Sequence, residues 1–91
     1  MPWVSMLRCA DGSSFVGTTW DVARRVEEHN QGLGARQTAE HRPCTLVFSH
    51  DYPSPEEAWQ RERQVRALPL SRKAALVQGD PVVLALIGAG A

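Results

Sequence analysis

Nothing in this chain approaches the roughly 20 consecutive apolar residues that a membrane span needs, so no membrane-spanning helix is expected. The opening residues MPWVSMLRCADG lack a basic region, an apolar core and a cleavage site. No secretory signal is expected, and a cytoplasmic location follows. Cysteine is scarce. Cys9 and Cys44 stand in no CxxC pattern and in no ligand spacing with His29, His41 or His50, which favours reduced thiols over a zinc site. Neither sign of charge is in excess: ten Lys/Arg balance ten Asp/Glu. Net charge therefore gives no bulk attraction to nucleic acid. Ninety-one residues leave room for one small core and no second lobe.

Turn chemistry divides what is present into elements. Trp3 to Arg8 alternates as a strand does, Ala10-Asp11-Gly12-Ser13 supplies a tight turn, and Ser14 to Thr18 reads as the returning strand. Thr19 or Asp21 caps a helix running to about His29 or Asn30, which Gly32 and Gly34 follow. Residues 31–43 read as a long polar loop, and Cys44 to Phe48 as a third strand. Ser54-Pro55-Glu56-Glu57 starts a helix to Leu68, with a capping serine, a proline at the first position and a glutamate placed to close a capping box. Ser71 is placed to cap a further helix to about Gln78, broken by Gly79-Asp80-Pro81. The expected fold class is α+β: a three-stranded sheet flanked by helices in the order ββαβαα, forming a domain over 1–80, with 81–91 an apolar tail read as a short helix.

Two residues conflict with this pattern. At about 100° per residue, Ala58, Trp59 and Val65 share one face of their helix, and Glu62 falls among them. A carboxylate aimed at a core needs a partner, either a cation of the chain or a bound metal ion. On the first helix Val22 and Val26 define the inward stripe. Arg25 and His29 lie at its edge one turn apart, while Arg24, Glu27 and Glu28 point to solvent. An inward arginine and an inward glutamate in so small a domain either share one polar site or pair with each other. The span 61–73 carries five cations (Arg61, Arg63, Arg66, Arg72 and Lys73) against one carboxylate, which suits either a phosphate-binding strip or a solvated helix face. Trp3, Trp20 and Trp59 read as packing residues, with Trp20 the one suited to touch nucleic acid.

Taken in order, LRCADGS, F-V-G at 15–17, T-T-x-D-V-x-R-R at 18–25, E-H-N-x-G-x-G-A at 28–35, R-P-x-x-L-V at 42–47 and the helix bearing Ala58 and Arg61-Glu62 resemble the GIY-YIG nuclease domain, in its small stand-alone bacterial form. The resemblance covers residues 3 to about 75. It implies a mixed three-stranded sheet and cleavage of phosphodiester bonds, in DNA more readily than RNA, with one Mg²⁺ or Mn²⁺ ion. Arg25 matches the arginine that stabilises charge on the scissile phosphate, through planar donors that hold two oxygens at once. Glu62 matches the metal-binding glutamate, a single carboxylate being how Mg²⁺ is usually held.

The family's two tyrosines are replaced here by Ser5 and Phe15, so the phenols that position the attacking water are missing. General acid–base help is worth about 10²–10⁴ in rate. The resemblance therefore implies weakened chemistry, with His29 the substitute base, or else a catalytically inactive domain of the same fold that binds nucleic acid. Arg25, His29, Glu62, Ser5 and Phe15 are the expected catalytic positions. Thr18, which replaces a common lysine, and Arg24, Asn30, Arg36, Arg61 and Arg66 are the expected nucleic-acid contacts.

Overall fold

Three strands, β1 (Trp3–Arg8), β2 (Ser14–Thr19) and β3 (Thr45–Asp51), form one sheet in the order β2-β1-β3. The computed structural model describes residues 1–90. β1 is central and runs antiparallel to both neighbours, so the sheet is antiparallel throughout and not mixed. The reason is topological. β2 and β3 run in the same direction, but β1 lies between them and keeps them from pairing.

The hairpin register is Ser5 opposite Gly17 and Leu7 opposite Phe15. It is set at the turn, where Asp11 Oδ1 accepts from the Ser13 amide at 3.0 Å and the Ser13 hydroxyl at 2.6 Å. Gly12 takes a φ of 86°, a left-handed value that a side chain would resist.

Helix α1 (Val22–Asn30) begins at Asp21, whose carboxylate accepts from the Arg24 amide at 3.0 Å. A five-residue helix α2 (Arg36–Glu40) forms inside the segment expected to be loop. Ser54 caps α3 (Pro55–Ala67) by accepting from the Glu57 amide at 3.2 Å. The Glu57 carboxylate turns to Arg61, 3.7 Å away, and leaves the reciprocal half of the capping box. Helix α4 (Leu70–Val77) starts at Pro69 and not at Ser71, because the Pro69 carbonyl already accepts its first helical bond from Lys73. Asp80 ends that turn and caps α5 (Pro81–Leu86), accepting from the amides of Val82 and Val83.

The main core lies on one face of the sheet. Val4, Met6 and Val16 meet Ala58 and Val65 of α3, Leu76 of α4, and Val83 and Ile87 at the carboxyl-terminal end. Full burial of each large side chain contributes about 1.5–3 kcal/mol. Tyr52 joins them, its hydroxyl donating to the Ile87 carbonyl at 2.7 Å. Residues 81–87 therefore belong to the same core as β1. Trp59 does not: it is 56% exposed, so the inward stripe of α3 is Ala58 and Val65 with Glu62 beside them. On the opposite face Leu7, Cys9 and Cys44 form a smaller cluster with Phe15 and Val26. Both thiols are free and buried, their sulfurs 3.6 Å apart.

Candidate functional site

As an edge strand, β2 shows its two faces to different helices, Phe15 and Gly17 to the α1 side and Val16 and Thr18 to the α3 side. A cleft of about 230 Å³ wraps this edge, lined by Ser5, Phe15, Val16, Gly17, Thr18, Arg25, His29, Glu62 and Arg66. All five expected catalytic positions thus meet in one place, joined by two of the expected nucleic-acid contacts. A wider depression of about 470 Å³, beside Asn30, Arg42 and Pro43, gathers none of the five.

Glu62 reaches the cleft from α3 with its side chain 19% exposed. One carboxylate oxygen accepts from the Thr18 hydroxyl at 2.8 Å, the other from Arg66 Nη2 at 2.9 Å. Arg66 Nη2 also donates to the Val16 carbonyl at 3.1 Å, satisfying an edge group of β2. The internal cation that a buried glutamate requires is therefore Arg66, not Arg25. Each Glu62 oxygen keeps a lone pair in this arrangement. That suits a hard cation completing its shell with water and phosphate oxygens. Among the residues lining the cleft Glu62 is the one carboxylate, so it would be the side chain to hold such an ion.

Arg25 enters from α1, half-buried, its Nη1 3.5 Å from Glu28 Oε1. Glu28 is accordingly half-buried beside it and does not point freely to solvent. So long and exposed a contact contributes at most about 1 kcal/mol, leaving the guanidinium free to take a phosphate.

His29 is not at the helix edge but 1% exposed. Its Nδ1 lies 2.5 Å from the Thr38 hydroxyl, which itself donates to the Ala35 carbonyl at 2.8 Å. The single hydroxyl proton is committed to Ala35, so Nδ1 must carry the proton of its own bond, and Nε2 is left with the lone pair. Burial pushes the imidazole pKa below its usual 6.5, the Arg25 charge lowers it further, and Glu28 opposes the shift. The ring is thus neutral near pH 7. Phe15 packs against it with ring centroids 4.9 Å apart and planes tilted by 58°. Gly34 makes the room, since a Cβ there would collide with the His29 ring at Nδ1.

The remaining expected contacts lie outside the cleft. Arg24 is exposed and pairs with Glu28, and Arg36 is exposed and pairs with Glu40 at 2.8 Å. Arg61 packs its guanidinium against Gly88, where a Cβ would come within 2.7 Å. Asn30 spans the backbone of Cys44, accepting from its amide at 2.7 Å and donating to its carbonyl at 2.9 Å. It thereby ties the end of α1, and with it His29, to the start of β3. Thr38 carried no signal of its own in the sequence, whereas Gly34 stood in the motif at 28–35 with nothing there to tie it to the His29 ring. Trp20 is 67% exposed, which fits a surface role better than packing.

A hairpin, a helix carrying Arg25 and His29, and a capped helix carrying Glu62, gathered over one edge strand, make up a small α+β domain. The GIY-YIG catalytic domain model matches residues 1–73, and the chain belongs to that family. A UPF0213 protein of Halobacterium salinarum is 41% identical over 76 residues, covering 84% of this chain and 99% of its own length. Another, from Xanthomonas axonopodis pv. citri, is 38% identical over 88% of this chain and 79% of its own. The solution NMR structure of a UPF0213 protein from Bacillus halodurans is 36% identical, covers both chains entirely and superimposes with a TM-score of 0.56.

Proposed function

We propose that the chain is a divalent-metal-dependent endonuclease that hydrolyses phosphodiester bonds, in DNA rather than RNA, in the cytoplasm. The observation that carries this is the convergence on one cleft of the Arg25 guanidinium, the His29 imidazole, held at Nδ1 by Thr38, and the Glu62 carboxylate. Arg25 holds two non-bridging oxygens of the scissile phosphate and offsets the charge that builds there. His29 Nε2 takes the proton of the attacking water as its oxygen bonds to phosphorus and the ester oxygen departs. The Thr38 contact at Nδ1 favours the tautomer in which Nε2 is free to take that proton. Mg²⁺ or Mn²⁺ on Glu62 would supply Lewis-acid stabilisation of the phosphoryl oxygens and leaving group. Phe15 shields the imidazole but moves no proton, and Ser5 has a hydroxyl without a phenol's reach, so the chemistry is slow for the fold.

A panel of single-stranded, duplex and branched DNA and RNA with Mg²⁺ or Mn²⁺, compared with the Glu62→Gln chain, tests this. Metal-dependent nicking lost in the variant supports the reading. Tight binding without nicking on any substrate would replace it with a silent nucleic-acid-binding domain, a reading favoured by the two missing phenols.

A further inference from the structure

Five of the ten Lys/Arg side chains, Arg8, Arg42, Arg63, Arg72 and Lys73, have no carboxylate within salt-bridge distance among the described residues. Two of the five, Arg8 and Lys73, border a common cleft. One stands at the end of β1 and the other on α4, and they line a cleft of about 90 Å³ with Gly12, Ser14, Met6 and Val77. Two cationic side chains bordering one cleft favour an anion there, and no acidic side chain lines the cleft to neutralise them.

The position of this cleft sets the class of anion. Ser14, Val16 and Thr18 succeed one another on the same face of β2, about 7 Å apart at two residues per step. Ser14 lines the Arg8–Lys73 cleft, the Val16 carbonyl holds Arg66, and Thr18 holds Glu62. The cationic cleft and the candidate site thus lie about 13 Å apart along β2, within the span of a few backbone phosphates. A polyanion of regular spacing can reach both places, where a single small anion would occupy only one.

We infer that the Arg8–Lys73 cleft binds a backbone phosphate of the nucleic-acid substrate a few nucleotides from the cleaved bond, so that the strand runs along the β2 edge on its α3–α4 side. This rests on the nuclease reading above. The test is binding of fluorescein-labelled oligonucleotides of about 16 nucleotides, single-stranded and duplex, to the full chain without added divalent ion, across a range of salt. Arg8→Gln and Lys73→Gln should each weaken binding roughly fivefold and reduce the slope of log K against log[salt] by about 1. Arg63→Gln and Arg72→Gln, equal in charge change but outside the cleft, should change neither. Equal losses in all four variants would mean bulk charge alone and overturn the inference. So would losses in Arg25→Gln with none in Arg8→Gln or Lys73→Gln, a result that leaves the nuclease reading standing. Should no variant including Arg25→Gln alter binding, both readings fall. Titration with inorganic pyrophosphate gives a second readout: backbone amide shifts at Gly12 and Ser14, lost in Lys73→Gln, support the site, and unshifted amides count against it.

Discussion

Towards α3, α4 and α5, β1 turns Val4 and Met6 into a core that is apolar apart from one hydrogen-bonded tyrosine hydroxyl. Towards α1 and α2, the same strand turns Ser5 and Leu7, and the buried Ser5, His29 and Thr38 side chains lie on that side. One face is filled by side chains whose only demand is volume. The other is filled by groups that each need a particular partner, Nδ1 with a hydroxyl and the Cys44 backbone with Asn30. Apolar packing and specific polar pairing are thereby assigned to opposite faces, and Glu62, which comes from the apolar side, reaches the candidate site only around the β2 edge.

The sharpest break in that division is Glu62→Gln. Metal-dependent cleavage should vanish, by on the order of 10³ or more, while the melting temperature barely moves. The partly exposed Glu62–Arg66 pair contributes only about 0.3–0.5 kcal/mol. A large loss of stability together with activity would mean that Glu62 is a structural residue. Phe15→Tyr should act in the opposite direction. The ring already packs on His29, so restoring the hydroxyl should recover part of the typical 10²–10⁴ factor, up to about 3–5 kcal/mol in barrier, in single-turnover rates. An unchanged rate, with His29→Ala inactive, would make the imidazole the sole base.

On the apolar face Leu76→Ala should cost about 2–5 kcal/mol in denaturant unfolding, yet leave cleavage per folded molecule unchanged. The smallest effect belongs to Thr38→Val, which orphans Nδ1 at about 1–3 kcal/mol and frees the imidazole tautomer, readable by ¹⁵N NMR of the ring. In the unaltered protein cleavage should rise with pH on an acid limb below 6.5, because burial depresses the His29 pKa. The same depression means that the unfolded chain takes up the proton first. Its contribution to stability is complete above 6.5 and is lost as pH falls through the folded value. An acid limb centred above 6.5 would show that a different group titrates.

Much of this architecture was legible where local chemistry decides it. Asp11-Gly12 fixed the hairpin, Asp21 and Ser54-Pro55 fixed two helix starts, and Glu62 announced itself as a carboxylate in the wrong company. What escaped depends on contacts between distant segments. Thr38 is one threonine in a polar stretch until α2 folds it against His29, and five residues with no side-chain cap give α2 no local signature. β3 runs on through Ser49, His50 and Asp51, polar residues tolerated because that strand is the other edge. Trp59 adjoins buried Ala58, yet one step of 100° turns it outward. Arg8 gave no hint of Lys73, since 65 positions separate them.

The Asp11-Gly12 turn has no side chain in the candidate cleft, yet the cleft's membership depends on it. Because strand side chains alternate with a period of two, a hairpin closed one residue out of step would send Phe15 and Gly17 to the α3 side and Thr18 to the α1 side. Glu62 would then lose its hydroxyl partner and His29 its aromatic wall in a single event. The site therefore has no half-built form along this coordinate. A hairpin that closes wrongly yields a molecule with the right residues and no cleft, and the fidelity of one tight turn proofreads the assembly of every group beyond it.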